Sequence, residues 1–388
     1  MIEFKTRTQM YIFFTTFALI IIGLVMVTSS SVYLGERTYH NPYYFLFRQL
    51  AWIGIGLVGM FWIMKKDYQS FRSHSFMFVL IAAVLLICVF IPGIGKRING
   101  ANRWMGWGPL QIQPSEFAKL VLIIYLSDFL SRKPEHQIKD AIKGFLPILA
   151  VMGLISLLVL KEPDLGTAGL LFILGTVLCL VAGMRYTHFI LILPLTIPYL
   201  IYEILQHSHQ KSRIMVYFEI LTNPRTVRYD EGYNVWQSLV TIGSGGFWGK
   251  GLGAGLQKYG YLPECHTDFI FPVICEEWGF LGALIVISLF VFLIWQGIQV
   301  AIRSSELYSS LLATGITAMI TAQLCINLGM SSGLLPAKGM TLPLVSYGGS
   351  SLLFTMIGLG LLMNIAQYVP ESNSGRHTIR NYFYGKNT

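Results

Sequence analysis

The chain has 388 residues, of which 54% are hydrophobic and only 12% are charged. Soluble domains carry roughly 25% charged residues, so this composition argues against a soluble globular protein. The formal net charge of +9 is not gathered on a basic face rich in aromatic residues, and we therefore expect no nucleic-acid partner.

The hydrophobic residues fall in runs of roughly 17 to 25, the length that crosses the hydrocarbon of a bilayer. The first run is too long for the apolar core of a signal peptide and counts as a span. We therefore predict an all-α polytopic membrane protein with about ten transmembrane helices in one domain, residues 1–388. The predicted spans are 11–32, 45–64, 76–92, 114–131, 144–160, 166–184, 187–205, 269–301, 307–333 and 342–368.

Lysine and arginine are concentrated in alternate connections between these spans. Cytoplasmic loops retain positive charge, so the pattern places both termini in the cytoplasm. Residues 206–268 then form a large extracytoplasmic loop between spans 7 and 8, and residues 369–388 form a short cytoplasmic tail. The connection 93–113 breaks the charge rule, because it is short and faces outwards yet carries several cations, Arg103 among them.

Two charged side chains lie inside the fourth predicted span. Glu116 and Lys119 are three residues apart and therefore share one face of a helix. Charges within a membrane usually pair or line a wet cavity. We favour a structural ion pair over a direct catalytic role.

The densest group of polar and glycine residues lies between residues 229 and 279. Its glycines permit left-handed backbone and close backbone approach, which suits either a loop folded against a ligand or a tight re-entrant turn. The sequence leaves these two interpretations open. We expect the following side chains of the segment to bind a polar ligand: Gln237, Lys258, Glu264 and His266.

Asp268 lies at the membrane edge, immediately before the eighth predicted span. Loss of hydration there raises the pKa of a carboxyl group, whereas a helix N-terminus and nearby cations lower it. Asp268 is our candidate catalytic residue. A helix cap is the competing interpretation, and the two roles are compatible.

The segment that leads into the last span is rich in small and hydroxyl residues. It follows Lys338 and contains Ser346 and Ser350. Such residues permit close helix packing, and they suit a pocket for a polar head group equally well. Ser346 and Ser350 are candidate substrate-binding residues on the second interpretation.

Five segments carry a resemblance to a known family: ANRWMGWGPLQIQPSEFAK from Ala101, EPDLGT from Glu162, GYNVWQSLVTIGSGG from Gly232, KYGYLPECHTDFIF from Lys258 and PLVSYGGSS from Pro343. Together they resemble the SEDS family, the shape, elongation, division and sporulation proteins, over essentially the whole chain. The Lys-Gly-x-Thr-Leu-Pro form that begins at Lys338 is similar to division and sporulation members. Elongation members typically read Thr-Gly-x-Pro-Leu-Pro there.

The resemblance implies a peptidoglycan glycosyltransferase of the bacterial cytoplasmic membrane, which polymerises lipid II onto a glycan linked to undecaprenyl pyrophosphate at the division septum. It implies a class B penicillin-binding transpeptidase and other division proteins as partners. It makes Asp268 the catalytic residue, places Arg103 and Lys338 in the substrate cavity, and pairs Glu116 with Lys119. It implies no nucleotide and allows a divalent cation, Mg²⁺ or Mn²⁺, with Asp268 as the candidate ligand.

Two other functions compete with glycan polymerisation. A bundle with charges inside the membrane suits a lipid II flippase, although a transporter places its essential polar residues near mid-membrane, whereas the richest cluster here lies at one face. The other is a non-catalytic scaffold that recruits the penicillin-binding protein. The sequence also leaves open whether Asp268 accepts a proton or coordinates the cation.

Overall fold

The computed structural model describes residues 4–98, 101–106, 111–206, 208–222 and 232–370. Helices make up most of this part of the chain. They are α1 (Arg7–Tyr39), α2 (Tyr44–Lys65), α3 (Gln69–Ser73), α4 (Ser75–Cys88), α5 (Pro114–Ser131), α6 (Glu135–Ile138), α7 (Leu146–Lys161), α8 (Leu165–Val181), α9 (Tyr186–Gln206), α10 (Ser208–Thr222), α11 (Tyr233–Ser244), α12 (Ile270–Arg303), α13 (Leu307–Ser331) and α14 (Gly349–Ala366). A π-helical turn, Ala141–Phe145, leads into α7.

Six helices of the described chain are long and apolar enough to cross a membrane: α1, α2, α12, α13, α14, and α7 together with its π-helical turn. A seventh candidate is α9, which bends by 47° beside Pro194, a residue that cannot donate the helical hydrogen bond. A helix lies at each of the ten predicted positions, but α4 and α8 have only 14 and 17 residues. The polytopic helical class is confirmed, and the number of ten spans stays a prediction.

The all-α prediction needs one correction, because the connection after α4 forms a small hairpin. Its strands β1 (Gly95–Ile98) and β2 (Ala101–Met105) pair antiparallel, with Gly95 opposite Met105. Arg103 lies on β2. The backbone pairing therefore gives this cation of the connection a defined position.

The last helix begins later than predicted, at Gly349 rather than at residue 342. Leu344, in the segment before it, has φ +65°, a left-handed conformation that does not continue a helix of L-residues. The segment lies beside the turn that precedes α12, where Tyr347 N–H donates to the His266 carbonyl at 2.9 Å. The segment before α14 is thus a loop that stabilises the turn before α12.

The glycine-rich segment after α11 packs against a break in α12. Gly279 has φ +68° and ψ −164° inside that helix, so backbone groups on both sides lose their helical partners. The segment supplies replacements, since Phe280 N–H donates to Gly246 O and Gly251 N–H donates to Glu277 O, both at 2.9 Å. A Cβ atom at Gly279 would come within 2.3 Å of this backbone, which explains the glycine. The contacts favour the tight-turn interpretation of the glycines.

Helices α5 and α13 lie in the interior of the bundle. Leu122 on α5 and Leu311 on α13 are fully buried, and no side chain of α5 is exposed, as expected for a helix surrounded by protein. Glu116 and Lys119 lie in the first turns of α5, where Lys119 Nζ is 2.7 Å from Glu116 Oε2. The two side chains therefore form the ion pair that their spacing predicts.

Candidate functional site

Asp268 lies in the turn that immediately precedes α12 and faces the loop between α13 and α14. A Cβ atom at Gly339 of that loop would lie 3.1 Å from Asp268 Oδ2. Within the described ranges, no protein group hydrogen-bonds to either carboxylate oxygen of Asp268. The side chain is partly exposed, so the carboxylate is available to a ligand.

The backbone that carries Asp268 is held at three consecutive carbonyl groups. The bonds are Tyr347 N–H to His266 O at 2.9 Å, Ser346 Oγ–H to Thr267 O at 2.6 Å, and Asn327 Nδ2–H to Asp268 O at 2.9 Å. Ser346 Oγ also accepts from Leu342 N–H at 2.9 Å. The hydroxyl of Ser346, a predicted substrate-binding residue, is thus engaged within the protein, and its observed contribution is to position the turn.

Asn327 joins the turn of Asp268 to the loop that carries Lys338. This asparagine is fully buried on α13, and its Nδ2 also donates to the Met340 carbonyl at 2.7 Å. One amide group therefore fixes two chain segments relative to each other. The distance between the Asp268 carboxylate and the backbone at Gly339 follows from this link.

Lys338 lies against the N-terminal turn of α8. Asp164 caps this helix, because its Oδ1 accepts from Thr167 N–H at 3.1 Å. A Cβ atom at Gly166 would lie 3.5 Å from Asp164 Oδ1 and 3.8 Å from Lys338 Cδ. The Lys338 side chain is solvent-exposed, yet the surrounding protein lowers its pKa, and the Asp164 carboxylate opposes this shift.

Arg103 connects the hairpin to the turn between α7 and α8. Its Nε donates to the Glu162 carbonyl at 2.9 Å, and its Nη2 donates to the Pro163 carbonyl. The guanidinium thereby lies beside Asp164, which follows directly in the chain. We define the Asp268 cluster as Asp268, Asp164, Arg103 and Lys338.

Ser350 holds the entry to α5. Its Oγ accepts from Gln113 N–H at 2.9 Å and donates to the Gln111 carbonyl at 3.3 Å. The Gln113 side chain lies 3.5 Å from Asp164 Oδ2 through its Nε2. Ser350 is buried, so the structure shows a packing role next to the Asp268 cluster rather than an open hydroxyl.

The electrostatic surroundings of Asp268 suit proton transfer. Loss of hydration within the surrounding protein raises its pKa, as do the Glu264 and Asp164 carboxylates, while Arg213 and Arg103 lower it; together these effects bring the pKa to about 7. A carboxyl group with a pKa near neutrality is a stronger proton acceptor than an ordinary aspartate and still ionises at neutral pH. Perturbed groups of this kind concentrate at functional sites.

Glu162 is a second titratable group beside the cluster. It is fully buried, and burial together with the Asp164 carboxylate raises its pKa to about 8, against the effect of Arg103. Within the described ranges neither carboxylate oxygen has a hydrogen-bond partner. A buried carboxyl without a partner favours its neutral form, so Glu162 is mainly protonated at pH 7.

Lys258 is engaged elsewhere. Its Nζ lies 2.7 Å from Glu277 Oε1 and donates to Ser29 Oγ and to the Gly253 carbonyl, both at 2.8 Å. These three contacts use all three donors of an ammonium group. Lys258 therefore joins α1, α12 and the glycine-rich segment, and substrate contact by Lys258 stays a prediction.

A cavity of about 500 Å³ lies between α1, the start of α2 and this segment, next to Lys258 rather than to the Asp268 cluster. Its lining is mainly apolar, with Leu24, Val32 and Leu252 among the lining residues. A site for sugar and phosphate groups needs several polar partners. The cavity therefore does not mark the candidate site.

Gln237 and Glu264 contact other residues of the same segment. Gln237 Nε2 donates to Gln257 Oε1. Glu264 is exposed, has φ +52°, and accepts from Thr267 Oγ1 at 2.8 Å. Its charge acts on Asp268. Substrate contact by either residue stays a prediction.

His266 lies under the Asp268 turn between two aromatic rings. Its ring centroid is 4.8 Å from that of Phe45 and 5.7 Å from that of Tyr347. The side chain is buried, and burial lowers its pKa, so the ring is neutral at pH 7. The position indicates packing of the turn, and direct substrate binding by His266 stays a prediction.

The described residues contain no group of three or more His, Cys, Asp or Glu side chains placed to hold a metal ion. Magnesium is usually held by one or two carboxylates together with substrate phosphates. Asp268 fits such a site, because its carboxylate oxygens take no hydrogen bond from the described protein. A role as metal ligand stays a prediction.

The predicted set omits three residues that the structure brings to the site. The sequence could have indicated Asn327, since an amide inside an apolar span needs a hydrogen-bond partner. It could also have indicated Asp164, which lies within the EPDLGT segment. The sequence gives no indication that Arg213 belongs to the site, because basic residues are common in a long translocated loop. Its neighbours in space are distant in sequence.

The family of the chain follows from comparison with known proteins. A family model described as "Cell cycle protein", covering FtsW, RodA and SpoVE, matches residues 9–371. The chain belongs to the SEDS family. The prediction from the five sequence segments is thereby confirmed.

Relatives of this SEDS protein include stage V sporulation protein E of Bacillus subtilis, 39% identical over 94% of this chain and 98% of that protein. The probable peptidoglycan glycosyltransferase FtsW of Legionella pneumophila is 38% identical over 90% of this chain and 88% of that protein. A protein named for sporulation and a probable peptidoglycan glycosyltransferase are therefore among its relatives.

Two solved structures resemble the fold. One comes from a peptidoglycan synthase complex that coordinates polymerization and crosslinking, with a TM-score of 0.74, 30% identity, and coverage of 93% of this chain and 98% of that chain. The crystal structure of RodA from Thermus thermophilus has a TM-score of 0.65, 27% identity, and coverage of 92% and 97%. The likeness extends over nearly the whole of each chain.

Proposed function

We propose that this SEDS protein is a peptidoglycan glycosyltransferase that polymerises lipid II into glycan strands during septal wall synthesis in division. The observation that carries the proposal is the open carboxylate of Asp268, with a pKa of about 7 and a backbone held at three carbonyl groups. Arg103 acts on its charge, and Lys338 lies near Asp164, in the loop whose Gly339 faces Asp268. The names of the curated relatives support this activity.

In the proposed reaction, a sugar hydroxyl of the incoming lipid II attacks the anomeric carbon of the growing glycan. A glycosidic C–O bond forms, the bond from the anomeric carbon to the pyrophosphate oxygen breaks, and undecaprenyl pyrophosphate leaves with the electron pair. Asp268 accepts the hydroxyl proton as a general base. Attack opposite the leaving group inverts the anomeric centre.

The leaving pyrophosphate gathers negative charge as the bond breaks. Cationic groups that are already in place stabilise such charge without reorganisation. Lys338 and Arg103 lie beside Asp268 and Asp164 and serve this purpose in the proposal. A divalent cation, Mg²⁺ or Mn²⁺, would supply further neutralisation. In the alternative in which Asp268 holds this cation, another group or water accepts the proton.

The proposal places ten spans in the bacterial cytoplasmic membrane, both termini in the cytoplasm, and Asp268 at the outer face. The alternation of lysine and arginine between connections supports this orientation. The helices at all ten predicted positions support the span count. In this arrangement both lipid-linked substrates reach Asp268 from the outer leaflet.

A class B penicillin-binding transpeptidase is the partner in this proposal, together with other division proteins. The similar structure from a complex that coordinates polymerization and crosslinking supports a partner of that kind. Strands made at the Asp268 cluster would pass directly to crosslinking.

The test is a polymerisation assay with purified protein, its transpeptidase partner and lipid II in detergent, with Mn²⁺ or with chelator. Asp268→Ala and Asp268→Asn are expected to lower the rate by about 10²- to 10⁴-fold, the usual contribution of a general base. Glu135→Gln is the matched control, since it removes an exposed carboxylate that pairs with Lys139.

Each outcome separates the competing functions. Polymer made by the wild type excludes a pure flippase, because flipping forms no glycosidic bond. Wild-type rates in both Asp268 variants would refute catalysis by Asp268. An intact partner complex with no polymer under any of these conditions would establish the scaffold instead.

A further inference from the structure

Helix α10 packs against the loop that leads to Lys338. Tyr217 Oη donates to the Leu334 carbonyl at 3.1 Å. Arg213, Val216 and Tyr217 of α10 line a narrow crevice whose other wall includes Pro336. The helix is therefore anchored next to the candidate site.

Arg213 lies on the same face of α10 as Tyr217, because residues four apart in a helix are neighbours. It lines the same crevice as Pro336 and Ala337, which directly precede Lys338 in the loop between α13 and α14. The side chain is exposed. In the described part of the chain no ion pair joins Arg213 to an acidic residue.

The cations near the Asp268 cluster differ in how many of their donors already form hydrogen bonds with protein groups. Arg103 commits its Nε and Nη2 to backbone carbonyls, and Lys338 presents a single ammonium against α8. Arg213 has a planar fork of donors with no such commitment among the described contacts. Such a fork matches two oxygens of a phosphate group.

We propose that Arg213 binds the diphosphate of the lipid-linked substrate, opposite Lys338, so that α10 forms a cover over the Asp268 cluster. This inference rests on the proposed function, since it names the group that the site must hold. Arg213 is then a substrate-binding residue that no sequence motif indicates. The diphosphate lies between a cation from α10 and a cation from the α13–α14 loop.

Direct binding is the first test. Full-length protein carrying Asp268→Asn, the variant expected to turn over slowly, is titrated with undecaprenyl pyrophosphate and separately with undecaprenyl monophosphate. Adding Arg213→Ala is expected to weaken diphosphate binding by about 10- to 100-fold, the usual effect of losing hydrogen bonds to a charged group. Arg213→Lys is expected to restore part of the affinity, because it keeps the charge and loses the fork.

Lys211→Ala is the matched control, since Lys211 is an exposed cation two residues earlier on α10. We expect its affinity for both lipids to stay within about twofold of the parent. Tyr217→Phe removes the bond to the Leu334 carbonyl and is expected to weaken diphosphate binding less than Arg213→Ala. A thermal unfolding curve for each variant separates loss of binding from loss of fold.

Turnover gives a second readout in the background with Asp268 intact. Arg213→Ala is expected to raise the KM for lipid II more than it lowers kcat.

The results distinguish this inference from the proposed function. If the wild type polymerises lipid II and Arg213→Ala binds undecaprenyl pyrophosphate as the parent does, the inference is wrong and the function stands. An equal loss of diphosphate affinity in Lys211→Ala would show that the attraction is non-specific, and it would also overturn the inference about Arg213. If the wild type makes no polymer, the function fails, whatever the diphosphate affinities show about Arg213.

Discussion

Asn327 holds the backbone of Asp268, since its Nδ2 lies 2.9 Å from the Asp268 carbonyl oxygen. Asn327 lies on α13, whereas Asp268 lies in the turn before α12, so the two residues are distant in sequence. The same amide group also holds the Met340 carbonyl. The position of the candidate base thus depends on a residue that does not touch the substrate in our proposal.

Replacing Asn327 tests this link. Asn327→Ala leaves two buried carbonyls without a donor, and we expect a loss of about 1 to 3 kcal/mol in the free energy of unfolding. We also expect at least a tenfold lower polymerisation rate, because small displacements of catalytic groups reduce rates strongly. Asn327→Asp has the same shape but donates nothing when ionised, and should fail similarly.

Polymerisation and thermal unfolding in detergent measure both effects. Ser332→Ala is the control, since the Ser332 hydroxyl bonds only to carbonyls of its own helix. Normal activity in a folded Asn327→Ala protein would show that the Asp268 turn is held well enough by Ser346 and Tyr347.

Gly339 is expected to tolerate no side chain. A Cβ atom there would lie 3.1 Å from Asp268 Oδ2, closer than ordinary van der Waals contact, so Gly339→Ala should displace or cover the carboxylate. We expect about a tenfold loss of rate for Gly339→Ala and a larger loss for Gly339→Val. Polymer yield over time measures this.

The control for this change is Gly54→Ala on α2, where an added Cβ meets nothing within 4 Å. It should keep full activity, since alanine also favours the helix. Equal activity of the Gly339 and Gly54 variants would mean that the loop moves aside freely and that Gly339 does not define the site.

The pH dependence follows from the raised pKa of Asp268. A general base must be ionised, so the rate should rise with pH and level off above about 7. The free energy of unfolding changes with pH in the opposite direction to the rate. Between its ordinary value of 3.8 and about 7, the folded protein binds more protons than the unfolded chain, so ionisation of Asp268 makes unfolding easier as pH rises.

Asp268→Asn removes this penalty. Its melting temperature should exceed that of the wild type at pH 8, and the difference should shrink as the pH is lowered through this window. Thermal unfolding at pH 5 and pH 8, with rate profiles of the wild type, provides the measurement. A rate profile flat from pH 5 to pH 9 would argue against Asp268 as the base.

Lys258 and Glu277 form a buried ion pair, with side-chain exposures of 5% and 0%. Lys258→Ala leaves the Glu277 carboxylate buried without its cation, and we expect a loss of about 3 to 5 kcal/mol in stability. The double variant Lys258→Met, Glu277→Gln should recover much of this loss. Denaturation of the three proteins in one detergent gives the comparison, and equal stability of the two variants would contradict the pairing argument.

The sequence by itself determined the helical membrane class, the family, and Asp268 as the candidate catalytic residue. Hydrophobic runs of spanning length are read directly, because lipid leaves the backbone no partner except its own helix. The spacing of Glu116 and Lys119 predicts their ion pair, since helical neighbours are local in the chain. These properties depend on residues that are close in sequence.

Only the tertiary structure decided which polar groups serve the site. Lys258 and Lys338 both lie in polar, glycine-containing segments. Lys258 contacts Glu277 and Ser29, whereas Lys338 lies against the start of α8 near Asp164. The contact of Asn327 with Asp268 joins α13 to the turn before α12, and residues so distant in sequence leave no local pattern that predicts their contact. Asp268 becomes a poised carboxyl through burial and through charges brought to it by folding.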